Sequence, residues 1–111
     1  MAQTESMIQR SLILAALVAL PLPASADREL PLPDLDLATV ADRIAERYRG
    51  RLLSVSLERP EGRERGLGAD IVFEAEYLTP RDNVLIIRVD GDSGRFLSVE
   101  GIGQARARVR P

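Results

Sequence analysis

The period of the apolar residues changes once along this chain, at Gly50, and that change constrains the fold more than any other feature. After Gly50, apolar and polar residues alternate from Leu52 to Arg59, as they do in a half-buried β-strand. Before it, apolar residues recur every three or four positions, which is the spacing of one helix face: Leu37, Val40, Ala41, Ile44 and Tyr48. The sequence therefore predicts an α+β domain in which one N-terminal helix packs on a three- to four-stranded antiparallel meander.

The signals at the two ends of the helix predict that it runs from Leu37 to Arg49. Asp36 is a suitable N-cap, because its carboxylate can accept N–H bonds from the first turn. Leu35 and Val40 have the spacing of a hydrophobic staple. Gly50 is expected to take the left-handed conformation that ends many helices.

Strands are predicted at Leu52–Arg59, Ala69–Leu78 and Val84–Val89, with a closing strand at Arg95–Glu100. The closing strand has two adjacent apolar residues, so the pattern leaves open which of its faces is buried. Alternation along the first three strands predicts the residues that point inward: Leu53, Val55, Leu57, Ile71, Phe73, Ala75, Tyr77, Leu85, Ile87 and Val89.

The length of the turn at residues 79–83 sets the register between the second and third strands. If Leu78 pairs with Val84, Glu74 lies directly opposite Arg88 on the outer face of the sheet. A slip of one residue would send both apolar sets to the wrong side, so the hydrophobic pattern and the charge pair support the same register.

The remaining segments of the domain are predicted as loops and termini. Residues 60–68 form a charged, glycine-rich loop, and residues 90–94 form a tight turn in which Gly94 takes a positive φ. Residues 27–35 are expected to be an extended, mobile leader, since Pro31 and Pro33 disfavour helix before them. Residues 36–103 then form the domain, and residues 104–111 form an arginine-rich, frayed tail.

Residues 1–26 have the features of a cleavable export signal. Arg10 supplies the positive charge, Ser11–Leu20 supplies a short apolar core, and Ala24-Ser25-Ala26 supplies the small residues that signal peptidase requires. The apolar core is too short to span a bilayer, and translation could begin at Met1 or at Met7. We therefore expect cleavage after Ala26 and a periplasmic or secreted protein with no stable membrane span.

Composition removes several classes of function. The chain has no His, no Cys and no Lys, so a Ser nucleophile has no His or Lys to activate it. The formal net charge of −2 argues against nucleic-acid binding. All 15 basic residues are Arg, a composition that suits phosphate or carboxylate recognition or reflects a codon bias. We expect a protein that is not an enzyme and that needs no cofactor.

Three short segments carry a resemblance to a known family. Phe73-Glu74-Ala75-Glu76-Tyr77, then Val89-Asp90, then Ser93-Gly94-Arg95 resemble the strand and turn motifs of the PepSY domain, and the similarity extends over residues 37–101. Two features differ from the usual pattern, since Asn83 stands where the family often has Gly, and the 60–68 loop is longer. The resemblance implies a non-catalytic module that inhibits or regulates peptidases or assists another exported protein.

The outer face of the predicted sheet is the candidate contact surface, since apolar side chains rimmed by charge are typical of protein interfaces. An envelope protein, such as a peptidase or the outer domain of a sensor, is the expected partner, and an extended segment of it could add to a free strand edge. The alternative is a small-ligand or metal-responsive accessory domain that uses Asp90 and Asp92. The predicted partner-binding residues are Val72, Glu74, Glu76, Val84, Ile86 and Arg88.

Overall fold

The computed structural model describes residues 29–110, so the predicted signal segment lies outside the described residues. One helix followed by antiparallel strands is the observed architecture, which confirms the predicted α+β fold. An extended segment leads into seven elements in the order α1 (Leu37–Arg47), β1 (Arg51–Glu58), α2 (Gly62–Gly66), β2 (Val72–Leu78), β3 (Val84–Asp90), β4 (Phe96–Glu100) and α3 (Gln104–Ala107).

The four strands form one open sheet in the order β1-β2-β3-β4, with every neighbouring pair antiparallel. Leu78 pairs with Val84 and Glu74 pairs with Arg88, so the predicted register between β2 and β3 is confirmed. Because this register follows from side-chain alternation and turn length alone, the central hairpin is specified locally in the sequence.

The main core lies between α1 and one face of the sheet. The Tyr77 hydroxyl donates a hydrogen bond of 3.0 Å to the backbone carbonyl of Tyr48, and burial raises the pKa of Tyr77. Leu37 was expected on the buried stripe of the helix, but it is 52 % exposed, because it lies in the first turn, beyond the sheet contact. The buried members of the core are Val40, Ile44, Tyr48, Phe73, Ala75, Tyr77, Leu85, Ile87, Val89 and Ala107.

The N-cap of α1 is confirmed, but its predicted end is wrong. The Asp36 carboxylate accepts a hydrogen bond of 2.8 Å from the backbone N–H of Thr39. Hydrogen bonding to Thr39, from its side chain first and its backbone N–H second, lowers the pKa of Asp36. The helix ends at Arg47, and Tyr48 is already extended, with φ −128° and ψ 142°. Gly50 therefore lies outside the helix cap that the sequence predicted for it.

The helix ends where the chain begins to form backbone hydrogen bonds with the C-terminal segment. The Arg49 N–H donates to the Ala107 carbonyl at 2.7 Å, and the Val109 N–H donates to the Arg47 carbonyl at 2.8 Å. Residues 104–110 were expected to fray, but α3 and these two bonds hold them against the end of α1. The methyl group of Ala107 is buried in the main core, which explains why an arginine-rich segment docks.

A β-bulge in β1 overturns the predicted inward position of Leu53. Leu52 pairs with Tyr77 and Ser54 pairs with Glu76, so Leu53 is the extra residue and is 45 % exposed. Val55 returns to the expected face and packs against the main core. The pattern could not show the bulge, because Leu52 and Leu53 are equally apolar.

A second bulge settles the facing of β4. Val89 pairs with Phe96 and Arg88 pairs with Ser98, which leaves Leu97 as the extra residue. Phe96 consequently packs toward α1, whereas Leu97 is buried on the opposite face of the sheet. Both apolar residues are therefore covered, each by a different layer.

The turn at residues 90–94 forms as predicted, and the leader docks against it. The Leu35 N–H donates to the Gly91 carbonyl at 3.0 Å, and the Asp34 N–H donates to the Asp92 carboxylate at 2.9 Å. These bonds anchor the last two residues of the leader, which the sequence predicts to be mobile. In the turn at residues 79–83, Asp82 takes the left-handed conformation, with φ 63°.

We predict that Gly50→Ala lowers the free energy of unfolding by about 2 kcal/mol. Gly50 has φ +134°, and a Cβ there would lie 2.1 Å from the Leu78 carbonyl oxygen, so backbone must move. Gly66→Ala is the matched control, since nothing lies within 4 Å of its Cβ position and alanine favours the helix. Urea unfolding followed by circular dichroism measures both, and equal stability of the two variants would contradict the close approach.

Candidate functional site

The face of the sheet opposite α1 is partly covered by the connection between β1 and β2. Ala69, from this connection, packs with Val72 and Leu97 in a second apolar cluster. Val72 is 0 % exposed, so the folded domain cannot present it to a partner. The outer face is therefore closed at the end near α2, where the sequence predicted an open contact surface.

Arg88 and Glu64 join this connection to the sheet. Glu64 lies in α2 and is only 2 % exposed. Arg88 Nε lies 2.7 Å from Glu64 Oε2, and Arg88 Nη2 lies 2.8 Å from Glu64 Oε1, so the pair is bidentate. Arg88 Nη1 also donates to Glu74 Oε1 at 3.2 Å, and Nη2 donates to the Arg59 carbonyl at 3.2 Å.

The hydrogen bonds from Arg88 lower the pKa of the Glu64 carboxyl, although burial acts in the opposite direction. The backbone N–H of Glu61, which donates to Glu64 Oε1 at 2.8 Å, lowers it further. The hydrogen bonds with Glu64 raise the pKa of Arg88. Both groups are therefore charged at neutral pH, and they neutralise each other inside the structure.

The six predicted partner-binding residues do not form one accessible patch. The predicted pairing of Glu74 with Arg88 is confirmed, but Arg88 is largely covered by its contact with Glu64. Ile86 is half-buried, Glu76 is exposed and Val84 is 45 % exposed, so these three remain accessible near the β2–β3 turn. The accessible part of the predicted surface is smaller than the sequence indicated.

The structural role of Glu64 does not follow from the predicted loop at residues 60–68. A signal for it does exist in the sequence. Glu61 and Glu64 have the three-residue spacing of a capping box, and both reciprocal hydrogen bonds of that box are present in α2. The spacing could have predicted the short helix, although not the pairing of its glutamate with a strand residue.

An arginine-rich groove of about 900 Å³ lies on the other side of the molecule, between α1, the start of β4 and the C-terminal segment. Asp42 and Glu46 are the acidic residues that line it. No salt bridge joins either of them to an arginine within residues 29–110. The arginines that line the groove outnumber these acids and come from three parts of the chain: Arg43, Arg47, Arg95, Arg108 and Arg110.

Local contacts hold part of this groove in place. The Arg47 guanidinium carbon lies 3.9 Å from the centre of the Phe96 ring, which is a cation–π contact. Arg43 donates from Nη1 to the Ser93 carbonyl at 3.0 Å. Gly94, with φ +78°, leaves the space for that side chain, since a Cβ there would lie 2.2 Å from Arg43 Nη1. Two of the five guanidinium groups are therefore preordered.

The free edge of β4 is partly capped by side chains. Arg63 Nη1 donates to the Leu97 carbonyl at 3.4 Å, and Gln104 Nε2 donates to the Val99 carbonyl at 3.5 Å. An added strand would have to displace these bonds. Binding through side-chain charge in the groove leaves these bonds intact, whereas extension of the sheet at β4 would break them.

The Asp90 carboxylate stabilises the turn at residues 90–94, since it accepts hydrogen bonds from the N–H groups of Asp92 at 2.9 Å and Ser93 at 3.3 Å. Within residues 29–110, no group of three or more His, Cys, Asp or Glu side chains is arranged to hold a metal ion.

Among the same residues, no helix has the length and hydropathy needed to cross a membrane. Comparisons with protein-family models, curated proteins and solved structures found no match to this chain.

We predict that Glu64→Gln lowers the free energy of unfolding by about 3 kcal/mol, because it removes the bidentate carboxylate from the largely buried charge of Arg88 and leaves only the longer contact with Glu74. Glu76→Gln is the matched control, since Glu76 is exposed on β2, the strand next to the one that carries Arg88. This variant should change the free energy of unfolding by no more than about 0.5 kcal/mol. Urea denaturation of both variants measures this difference. Equal stability of the two variants would show that the pair does not hold α2 to the sheet.

The same pair predicts an acid-sensitive part of the stability. The pKa of Glu64 in the folded chain lies below its ordinary value of 4.5, so its stabilisation is present above pH 4.5. It is lost as the pH falls through the lower, folded-state pKa. Denaturation of the wild-type chain across this range should therefore show a steeper acid limb than that of Glu64→Gln, and parallel profiles would contradict the assignment.

Proposed function

We propose that this protein is an exported, non-catalytic binding and regulatory domain, similar to PepSY domains, that engages an acidic segment of an envelope protein. The arginine-rich groove carries the proposal. Its five arginines line a depression of about 900 Å³ in a chain whose formal net charge is −2, so positive charge is concentrated there against the overall balance. The lack of His, Cys and Lys supports a binding role over a catalytic one.

The chemistry of the groove favours carboxylates on a polypeptide. Guanidinium groups bind carboxylates in a bidentate manner, and the preordered Arg43 and Arg47 lose less side-chain entropy on binding. Phe96 and Val109 add apolar contact surface between the charges. A segment with acidic and apolar residues would match both features, and a peptidase or the outer domain of a sensor could supply it.

The outer face of the sheet supports partner binding less well. Its central arginine is neutralised by Glu64 and Glu74, and its buried valine is unavailable. Glu76, Val84 and Ile86 remain as a smaller candidate patch near the β2–β3 turn. These three residues form a contact site that competes with the groove.

We predict that Arg95→Glu weakens binding of a fluorescent peptide of alternating Glu and Val residues by about tenfold or more. The reversed charge faces the groove, so it repels the carboxylates that the native residue attracts. Fluorescence anisotropy measures the affinity. Binding should also fall as ionic strength rises from about 0.01 M to about 1 M, because the Debye length shrinks from about 30 Å to about 3 Å.

Arg51→Glu is the matched control, since it makes the same charge change at an exposed position outside the groove. Ile86→Asp tests the competing patch. Binding that survives Arg95→Glu and is abolished by Ile86→Asp would move the contact to the outer face and overturn the groove as the site. Failure of the native chain to bind the peptide at low salt would overturn the proposed ligand chemistry.

Export itself is testable through the N-terminus of the protein. We predict that protein recovered from the periplasm of an expressing bacterium begins at Asp27, as measured by intact mass. Ala26→Glu should block cleavage, because the peptidase requires a small residue there. Ser25→Ala is the matched control and should leave cleavage unchanged. A cytoplasmic protein that begins at Met1 or Met7 would contradict the proposed location.

A further inference from the structure

A second, smaller cavity lies at the end of the domain where the β2–β3 turn meets the C-terminal segment. Its volume is about 330 Å³, which falls within the range of small-ligand pockets. Three separate parts of the chain supply its arginines: the link between α1 and β1, the β2–β3 turn, and the region of α3. They are Arg49, Arg81, Arg106 and Arg110.

No acidic residue of the described chain lines this cavity. Within residues 29–110, neither of the two salt bridges involves any of its four arginines, because both belong to Arg88. Arg88, which has a structural role, is neutralised by Glu64 and Glu74, whereas the four cavity arginines have no such acidic partner within residues 29–110. Four like charges around one cavity repel one another, and a bound anion would relieve that repulsion.

The walls of the cavity are fixed by backbone contacts. Arg49 is held by its N–H bond of 2.7 Å to the carbonyl of Ala107, a buried residue that also lines the cavity. In the turn, the Thr79 N–H donates to the Asn83 carbonyl at 2.8 Å, and the Asn83 N–H donates to Thr79 Oγ1 at 3.1 Å. The arginines therefore extend from an ordered frame, which favours a defined ligand geometry.

Asn83 and Gly103 add a further feature to this site. The Asn83 side-chain amide borders the cavity and makes no hydrogen bond to the described part of the chain. Its Nδ2 atom approaches Gly103 closely, since a Cβ on Gly103, at φ +85°, would lie 2.7 Å from it. The site therefore offers an amide N–H donor beside the guanidinium groups.

From this geometry we propose that the cavity binds a compact oxyanion with at least two negative charges, which is the chemistry that a phosphate monoester and a dicarboxylate share. The planar guanidinium groups suit both ligands, because each forms parallel N–H···O bonds with two oxygens. This site is separate from the groove in the proposed function, although Arg110 borders both. It would let a small solute stabilise the C-terminal segment that also forms the groove wall.

The experiment measures the melting temperature of the purified protein with inorganic phosphate, with succinate and with chloride at matched ionic strength. A ligand at tenfold excess over its dissociation constant should raise the melting temperature by about 6 °C. A rise with phosphate alone assigns the site to phosphoryl groups, and a rise with succinate alone assigns it to dicarboxylates. The absence of any rise beyond that in chloride would overturn the proposal.

Arg81→Gln and Arg106→Gln should each remove most of this rise, and Arg51→Gln is the matched control that should retain it. All three positions are exposed, so the variants are expected to fold, and circular dichroism confirms this. A rise that persists in both cavity variants would place the anion elsewhere and overturn the assignment. Arg95→Gln distinguishes the two sites, because it should weaken acidic-peptide binding in the groove and leave the oxyanion effect intact.

Discussion

The bidentate pair between Glu64 and Arg88 is the interaction on which the arrangement of this small domain depends. It joins α2 to the middle of the sheet, and it lets the connection between β1 and β2 cover Val72 and Leu97. The chain has no cysteine, so no disulfide can perform this task. Because the pair is buried, removing one partner is far more destabilising than losing a surface salt bridge. The pair therefore fixes which face of the sheet is closed.

Closing that face changes where a binding function can lie. The neutralised Arg88 stands on one side of the sheet. The groove and the smaller cavity lie on the other side and at the end of the domain, and no salt bridge within residues 29–110 involves the arginines that line them. The docked C-terminal segment makes this possible, because it brings Arg106, Arg108 and Arg110 next to α1 and the β2–β3 turn. Positive charge that appears dispersed along the sequence is thereby concentrated in two concave sites.

The sequence predicts those parts of the structure that depend on neighbouring residues. Periodicity and turn length were sufficient for the presence of α1, although not for its end, and for the central hairpin and the Glu74–Arg88 pair. They were insufficient for Glu64, whose partner lies 24 residues away on another element. The bulge at Leu53 was hidden by an adjacent leucine. The C-terminal segment was expected to fray because its arginines suggested solvent exposure, whereas the burial of Ala107 and backbone pairing with α1 determined its position.

An NMR titration of the isotope-labelled protein with the acidic peptide, following backbone amide shifts, locates the binding site directly. The largest changes should cluster at Arg47, Arg95 and Phe96, on the side of the sheet that α1 covers. Small or absent changes are expected at Glu76, Val84 and Ile86. The reverse distribution, with the largest changes around these three residues, would contradict the claim that the Glu64–Arg88 pair closes the outer face and leaves binding to the arginine-rich groove.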